Sequence, residues 1–299
     1  MQKKKALFIY NPKSGKGKIK NYVSDIIDTL TKKGYEVLVH PTQCKLDATA
    51  ATVEKRNSIK LLVCSGGDGT LDEVITGMMH RDKKIPIAYI PAGSTNDFGN
   101  SLKIPSNIPK AVKTIFKGKV FPCDIGKMND DYFVYIAAFG LFTDVSYETD
   151  QNLKNLLGHA AYLLEGMKRL SQIKAVPCIV EYEDKRIEDE FVFGMVTNSI
   201  SVGGFKKITG KHVEPDDGVF EVTLVKMPKN PLELSAILTA LVNRDIDTDL
   251  MYCFKTGEVK FTMPEEVPWT LDGEFGGNMK EVTIQNCNKA IEIVVPKEN

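Results

Sequence analysis

The 299-residue sequence has no apolar run approaching the ~18 residues that a bilayer-spanning helix needs. It has no net charge, since 39 Lys+Arg balance 39 Asp+Glu. No global field therefore draws the chain to nucleic acid or to an anionic membrane, and any polyanion site must be local. It has no CxxC pair, and its six cysteines (Cys44, Cys64, Cys123, Cys178, Cys253, Cys287) are scattered. Its four histidines (His40, His80, His159, His212) form no HxxxH pair. These absences argue against a disulfide framework and a zinc site. They fit reduced, mostly buried thiols in a cytosolic protein. The start, Met1 to Tyr10, carries only a short apolar stretch that ends at Asn11-Pro12 without a small-residue cleavage site, so it reads as a first strand and not as a signal peptide.

What is present is an ordinary globular composition, 42% apolar and 26% charged, in a length that suggests two domains at roughly 100–200 residues each. The first 120 residues alternate between strand and helix patterns. Ala6–Tyr10, Tyr35–Val39, Ile59–Cys64 and Ile85–Ile90 read as strands. Ile19–Lys33, Asp47–Lys55, Leu71–Met79 and Lys110–Phe116 read as helices. Such alternation implies a parallel sheet with crossover helices, whose ligands bind at the carboxyl ends of the strands. After Gly118 short strands dominate: Tyr132–Ala137, Pro177–Tyr182, Phe191–Thr197, Val219–Val225, Glu258–Phe261, Val282–Ile284 and Ile291–Val295. Helical patterns over Gln151–Lys174 and Pro231–Val242 interrupt them. The expected fold is α/β, with a doubly wound parallel-sheet nucleotide domain over 1–120. A mostly antiparallel β-sandwich follows over 121–299, with the active site in the cleft between them and the last ~10 residues free to return to the first domain.

The strongest chemical signal is Ser65-Gly66-Gly67-Asp68-Gly69-Thr70-Leu71-Asp72-Glu73, directly after the apolar strand Ile59–Cys64. Its glycines remove side chains where a backbone would approach a ligand, and permit positive φ. A helix beginning at Leu71 aims its first N–H groups at the same place, which suits phosphate. GxxxxGK[ST] is absent, and Asp72 occupies the last glycine position of GxGxxG. Asp68 inside a phosphate loop would repel phosphate unless a divalent cation or water intervenes, so the loop points to Mg2+-nucleotide. The bland alternative is a glycine-rich turn without a ligand. Two further loops follow strands of the same sheet: Asn11 to Lys18, small and basic, and Pro91 to Phe98, where Ser94, Thr95 or Asn96 could be an N-cap. Together the loops outline a nucleotide cleft.

In the second half, Asp272 and Glu274 flank Gly273. The pair suits general-base work on a hydroxyl during phosphoryl transfer. Asp-Gly is equally common in a hairpin turn, and local sequence leaves the two readings open. Glu214-Pro215-Asp216-Asp217-Gly218-Val219 is either a hard-cation loop or an ordinary acidic turn.

The segments NPKSGKGK, GGDGTLDE, PAGSTNDFGNSL, DIGKMNDDYFVYIAAFG, VEPDDGVFEV and LDGEFGG occur in the order found in the diacylglycerol kinase catalytic family. Over essentially its whole length the sequence resembles that family, in its soluble Gram-positive bacterial branch. GGDGT alone is shared with NAD kinases and sphingosine kinases. The resemblance implies ATP-dependent, Mg2+-requiring phosphorylation of diacylglycerol to phosphatidic acid in phospholipid metabolism. It implies nucleotide-binding positions at Asn11, Pro12, Lys13, Ser14, Gly15, Thr42, Gly66, Gly67, Asp68, Gly69, Thr70, Glu73 and Ser94. Asp272 matches the catalytic base, with Glu274 in the same motif. Asp68 and Asp124 match acidic positions that organise the active-site magnesium, and Glu214, Asp217 and Val219 match a structural magnesium site with some backbone ligands. Asp72 and Ser94 depart from the Asn and Thr common in the family, and both keep hydrogen-bonding capacity.

Diacylglycerol lies in a bilayer, so the resemblance further implies a cytoplasmic protein peripherally bound to the inner face of the membrane. Candidate contacts are Lys13, Lys16 and Lys18, and Lys154, Lys168, Arg169 and Lys174. Partners are ATP and diacylglycerol, with no nucleic acid, and the oligomeric state stays open between monomer and homodimer. The competing readings are a kinase of another hydroxylated lipid, an NAD kinase-like enzyme, and a lipid or nucleotide sensor without turnover.

Overall fold

The computed structural model describes residues 4–54, 58–140, 174–198, 201–202, 205–206, 214–243 and 249–297. The helix expected over Gln151–Lys174 lies outside the described residues except for Lys174, and so do Lys154, Lys168, Arg169, His159 and His212. By internal packing, Met1–Ile125, Pro215–Asp217 and Cys287–Asn299 form one unit, and Gly126–Glu214 with Gly218–Asn286 form a second.

The first unit is a parallel sheet with helices on both faces. Strands β1 (Lys4–Tyr10), β2 (Tyr35–Pro41), β3 (Ile59–Gly66) and β4 (Ile87–Pro91) stand in the order β2-β1-β3-β4. Every ladder among them is parallel, and the C-terminal end of the chain joins beyond β4, pairing Ile293 with Ile87. The interior strands β3 and β4 are buried almost throughout, because crossover helices remove water from both faces of a parallel sheet. One face packs Ala6, Phe8, Val63, Ala88 and Ile90 against Ile26 and Leu30 of α1 (Val23–Lys32) and Ala111 of α5 (Ile108–Lys117). The alternate residues Leu7, Ile9, Leu62, Cys64, Ile87 and Tyr89 are buried as well. The helices α2 (Asp47–Glu54) and α3 (Asp68–Met79) pack on each other, and α3 also packs on β3. A short α4 covers Asp97–Ser101. The helix expected from Ile19 is instead a 3-10 stretch over Ser14–Tyr22 followed by α1. Gly15, Lys16 and Gly17 are left-handed in succession (φ 55°, 61° and 72°), which an α-helix cannot accommodate.

The second unit is a β-sandwich. Its strands are the end of β5 (Lys119–Met128), β6 (Asp131–Phe133), β7 (Ile136–Gly140), β8 (Val176–Tyr182), β9 (Lys185–Thr197), the short β10 (Ser201–Val202) and β11 (Phe205–Lys206), β12 (Phe220–Lys226), β13 (Met251–Thr256), β14 (Glu258–Leu271) and most of β15 (Glu274–Val295). The ladders joining β7, β8, β9, β12, β13, β14 and β15 within this unit are antiparallel. The long strands β9 and β14 each pair with β8 at one end and with β7 at the other. They enclose a core around Trp269, Phe139, Phe261, Phe133 and Phe220, in which Trp269 meets Phe139 at 4.8 Å and Phe261 at 5.2 Å between ring centres. Helix α6 (Pro231–Asn243) sets Ile237 and Ala240 against Val192, Val225 and Met251. Among the described residues no helix is long and apolar enough to cross a membrane. Burial pushes the thiols of Cys64 and Cys123 far above their ordinary value and that of Cys178 up to about 12, so none of the three is a nucleophile.

Gly77 sets the approach of α3 to α2. A Cβ there would stand 2.7 Å from the Thr52 Cβ and 2.8 Å from the Thr49 carbonyl oxygen. In a free helix Gly→Ala gains about 1 kcal/mol. Here the overlap reverses the sign, and Gly77→Ala is expected to cost about 1–3 kcal/mol. Urea denaturation checks this, and a midpoint at or above wild type would contradict the close packing.

Candidate active site

At the carboxyl edge of the first unit's sheet, each connecting loop begins with a hydrogen bond to the neighbouring strand. Thr42 N–H donates to the Tyr10 carbonyl (2.9 Å), Asn11 N–H to the Ser65 carbonyl (2.8 Å) and Ala92 N–H to the Gly66 carbonyl (2.8 Å). Side chains cross-link the same loops. The Asn11 amide donates to the Thr70 hydroxyl (3.3 Å), and Gly67 N–H donates to the Ser14 hydroxyl (3.3 Å). Asn11 also accepts from Lys13 N–H (2.9 Å), which folds Asn11-Pro12-Lys13 into a tight turn. Asn11, Ser14, Gly15, Gly66, Gly67 and Thr70 thus stand in one cluster.

The glycines serve this packing. A Cβ on Gly15 would lie 2.1 Å from the Ala92 carbonyl oxygen, and one on Gly93 would lie 2.5 Å from the Gly67 Cα. On Gly66 it would meet the Thr70 side chain at 2.4 Å, and on Gly67 the Gly93 Cα at 3.3 Å. The sequence expects clearance for a ligand at such glycines; the contacts at these four are with neighbouring loops and, for Gly66, with Thr70.

Asp68 opens α3, behind the extended Gly67, and no side chain caps this helix end. Its first N–H groups, with the dipole, favour an anion. The Asp68 Oδ2 accepts from the Thr95 hydroxyl (3.0 Å), whereas its Oδ1 is buried and accepts no hydrogen bond. Burial pushes the Asp68 carboxyl above its ordinary range. The Thr95 hydrogen bond opposes that shift, the charge of Asp97 adds to it, and the N–H groups of Asp97 and Phe98 pull it back down. Asp97 is itself buried. Sequence reasoning placed Thr95 in the third cleft loop, as a donor or a cap, and gave neither it nor Asp97 a part in the electrostatics of Asp68. Their signal was proximity to Asp68, which no linear spacing shows.

Asn96 holds this arrangement. It sits at a left-handed φ of 52°, its Oδ1 accepts from Gly93 N–H (2.8 Å), and its amide donates to the Gly93 carbonyl (3.0 Å). The Tyr89 hydroxyl donates to the Gly66 carbonyl (3.0 Å) from below. Ser94, Thr95 and Gly69 are exposed on this surface.

Thr42 stands at the end of β2, beside the strand that leads to Asn11. Glu73 lies one turn into α3, and its two carboxylate oxygens accept from Leu46 N–H (2.9 Å) and Ala48 N–H (3.1 Å). Its charge is directed at the entry to α2.

In the second unit, Asp272 and Gly273 join β14 to β15 with positive φ at both positions (51° and 85°). This is a two-residue hairpin turn of the type that favours Asp-Gly. The buried Asp272 carboxylate also accepts three backbone hydrogen bonds, from Val134 N–H (2.6 Å) and from the N–H groups of Tyr135 (2.9 Å) and Ile136 (3.0 Å). Asp272 N–H donates to the Ile136 carbonyl (2.9 Å), and the Tyr135 hydroxyl donates to the Asp272 carbonyl (3.1 Å). Glu274, two residues on, is exposed.

Asp124 belongs to the first unit and is fully buried. Its Oδ1 accepts from Lys289 N–H (2.6 Å) and from the Asn288 amide (3.0 Å), and its own N–H donates to the Pro215 carbonyl (2.8 Å). In the acidic loop, Glu214 and Asp217 are exposed, and Asp216 and Val219 are half-buried. Among the described residues no three His, Cys, Asp or Glu side chains converge as a metal cluster.

Comparison with known proteins accounts for the whole chain. Residues 5–128 match the diacylglycerol kinase catalytic domain family, and residues 137–295 match the YegS C-terminal, NAD kinase β-sandwich-like domain family. Over 99% of its length the chain is 35% identical to the diacylglycerol kinase of Bacillus subtilis (strain 168), covering 97% of that protein. It is also 35% identical to the diacylglycerol kinase of Staphylococcus carnosus (strain TM300), covering 99% of this chain and 96% of that one. A crystal structure from Bacillus anthracis str. Sterne, assigned as a diacylglycerol kinase, superposes with a TM-score of 0.81 at 27% identity, covering 99% of this chain and 96% of that one. A chain that carries both domains at this identity and coverage, with the family's glycine loops packed as described, belongs to the diacylglycerol kinase catalytic family.

Proposed function

We propose that the chain is a lipid kinase that transfers the γ-phosphoryl group of ATP to the hydroxyl of diacylglycerol, giving phosphatidic acid and ADP. The observation that carries this reading is the uncapped start of α3, where Asp68 keeps one buried carboxylate oxygen without a hydrogen-bond partner. The helix end suits phosphate, and the bare oxygen suits a hard cation. Asn11 to Gly15, Thr42, Gly66 to Thr70 and Ser94 are the proposed nucleotide contacts, and the division of labour assigns 1–120 to nucleotide and 121–299 to lipid. Mg2+ fits the donor set at Asp68, which would hold it with Asp124 as the second acidic position. Bound there, the ion would neutralise charge on the transferring phosphates.

In the transfer, the lipid hydroxyl oxygen bonds to the γ-phosphorus, the bond from that phosphorus to the bridging oxygen breaks, and the hydroxyl proton passes to a carboxylate. Asp272 is the proposed acceptor, on the strength of its family position. The three backbone donors that hold it also draw on its charge, which leaves the exposed Glu274 as the rival base. Docking on the inner membrane face through the exposed Lys13, Lys16 and Lys18, and assembly as a homodimer, are the remaining parts of the proposal.

Thin-layer assay of labelled ATP with diacylglycerol, NAD and a long-chain base tests the activity. Label is expected in phosphatidic acid and in neither other product, and labelling of NAD alone would turn the reading toward an NAD kinase-like enzyme. Asp272→Asn is expected to lower kcat at least about a hundredfold. It should also lower the melting temperature, because each buried N–H left without an acceptor costs about 1–3 kcal/mol. Glu274→Gln removes an exposed group, so it is expected to melt like wild type and keep more than about a tenth of kcat. A hundredfold fall in that variant would move the base to Glu274. At Glu214, Asp217 and Val219 we propose a structural Mg2+ site, for which a hundredfold excess over Kd would stabilise by about 2.7 kcal/mol. Asp217→Asn is expected to abolish most of the Mg2+-dependent rise in melting temperature, and an unchanged rise would reduce the loop to a turn.

A further inference from the structure

The segment Thr42–Leu46 leads from β2 into α2 and is fixed at both ends. At its start, Thr42 N–H is bonded to the Tyr10 carbonyl at the sheet edge (2.9 Å). At its end, Leu46 adopts a left-handed φ of 66° and leaves its side chain 59% exposed. Neither feature suits leucine. A left-handed backbone disfavours any side chain with a Cβ, and a solvent-facing apolar chain gains nothing from the position. The Leu46 carbonyl accepts from Ala50 N–H (3.0 Å), so Leu46 stands where a helix start calls for a capping side chain, and leucine has none.

Glu73, from the neighbouring helix α3, supplies the cap. One oxygen takes Leu46 N–H (2.9 Å) and the other takes Ala48 N–H (3.1 Å), and the Thr49 hydroxyl donates to the Glu73 carbonyl (2.9 Å). Asp47 braces the same segment from within, with Oδ2 accepting from Gln43 N–H (2.7 Å) and Oδ1 against His40 Nε2 (3.0 Å). The two oxygens of Glu73 are thus directed at α2. We infer that Glu73 is a positioning residue for the nucleotide site: it holds Leu46 left-handed, and this sets the Thr42–Leu46 segment against the end of β1, where Asn11 begins its loop. The inference rests on the nucleotide-site reading above. It replaces a direct contact between Glu73 and the nucleotide with an indirect one through the segment that carries Thr42.

The test is a cycle in the full-length chain, with Mg·ATP affinity read by calorimetry and kcat read at saturating ATP. Glu73→Gln keeps the shape, but its NH2 group would face one of the two N–H donors that separate oxygens of Glu73 now accept. Its Kd and KM for ATP are expected to rise about tenfold, the loss of one charge-assisted hydrogen bond, with kcat unchanged. Leu46→Gly alone is expected to bind like wild type, because glycine adopts positive φ without strain. In the double variant the same freedom should restore ATP affinity to within about threefold of wild type. Hydrogen exchange adds a direct readout: the amides of Leu46 and Ala48 should lose protection in Glu73→Gln. If Glu73→Gln does not fold, Glu73→Asp, which keeps the charge and shortens the reach, is used in the same cycle.

A double variant as weak as Glu73→Gln would mean that Glu73 touches the nucleotide, and would overturn the inference. A lowered melting temperature with unchanged ATP affinity would make Glu73 a cap for stability only, and would overturn it as well. Absence of ATP binding by the wild-type protein would instead remove the nucleotide reading on which the inference stands.

Discussion

The arrangement of the first unit depends on a hydrogen-bond ladder that does not stop where its strands stop. The donors Thr42, Asn11 and Ala92 each lie one residue past their own strand and reach a carbonyl of a neighbouring one: β2 to β1, β1 to β3 and β4 to β3. A parallel ladder has evenly spaced, slanted bonds. Extending it by one residue therefore fixes where each loop leaves the sheet. The loops then sit so close that Gly15 and Gly93 have no room for a Cβ against their neighbours, and Gly67 has little. The glycine requirement follows from the ladder, and the helix start at Asp68 is aimed by it.

Carboxylates in this chain illustrate how one chemical group acquires different work from its surroundings. Glu73 gives both oxygens to backbone N–H groups at a helix entry, and Asp124 gives Oδ1 to a main-chain N–H and an amide at residues 288–289. Asp272 takes three N–H groups and splits what would otherwise be one strand. Asp68 combines a raised pKa with a buried oxygen left without a hydrogen bond. Backbone donors stabilise a charged oxygen at low cost because they are already ordered. An oxygen that no donor reaches, as Oδ1 of Asp68, carries the cost of burial uncompensated.

The alternation of strand and helix over the first 120 residues is legible because buried parallel strands are continuous apolar runs, as in Leu61–Ser65 and Ile87–Pro91. Motif residues were legible too, since glycine loops after such strands have few other uses. The second unit was harder to read. Strands β14 and β15 run over Glu258–Leu271 and Glu274–Val295, and only short pieces of them stand out in the sequence. Pro264 and Pro268 interrupt β14, and its pairing shifts register between Thr262 and Val267 and again between Trp269 and Thr270, which breaks the two-residue period. The segment Tyr132–Ala137 reads as one strand. It divides into β6 and β7 because the N–H groups of Val134 and Tyr135 turn to Asp272, more than 130 residues away in the chain. No periodicity carries that information.

Contacts remote in sequence also explain why the roles of single residues were less legible than their membership in motifs. A motif fixes which residues recur together, whereas a hydrogen bond fixes what each one does. Glu73 lies within the glycine-loop motif yet faces away from the loop's start, toward Leu46 and Ala48. Thr95 and Asp97 belong to a separate loop and still set the electrostatics of Asp68. Burial and the charge of Asp97 raise the proton affinity of Asp68, and both oppose folding with Asp68 ionised. Such an arrangement persists where function needs it, and the hydroxyl of Thr95 is the one neighbouring side chain that offsets part of its cost. The Asp68 oxygen left without a hydrogen bond thus stands at the start of α3, among groups contributed by two separate loops.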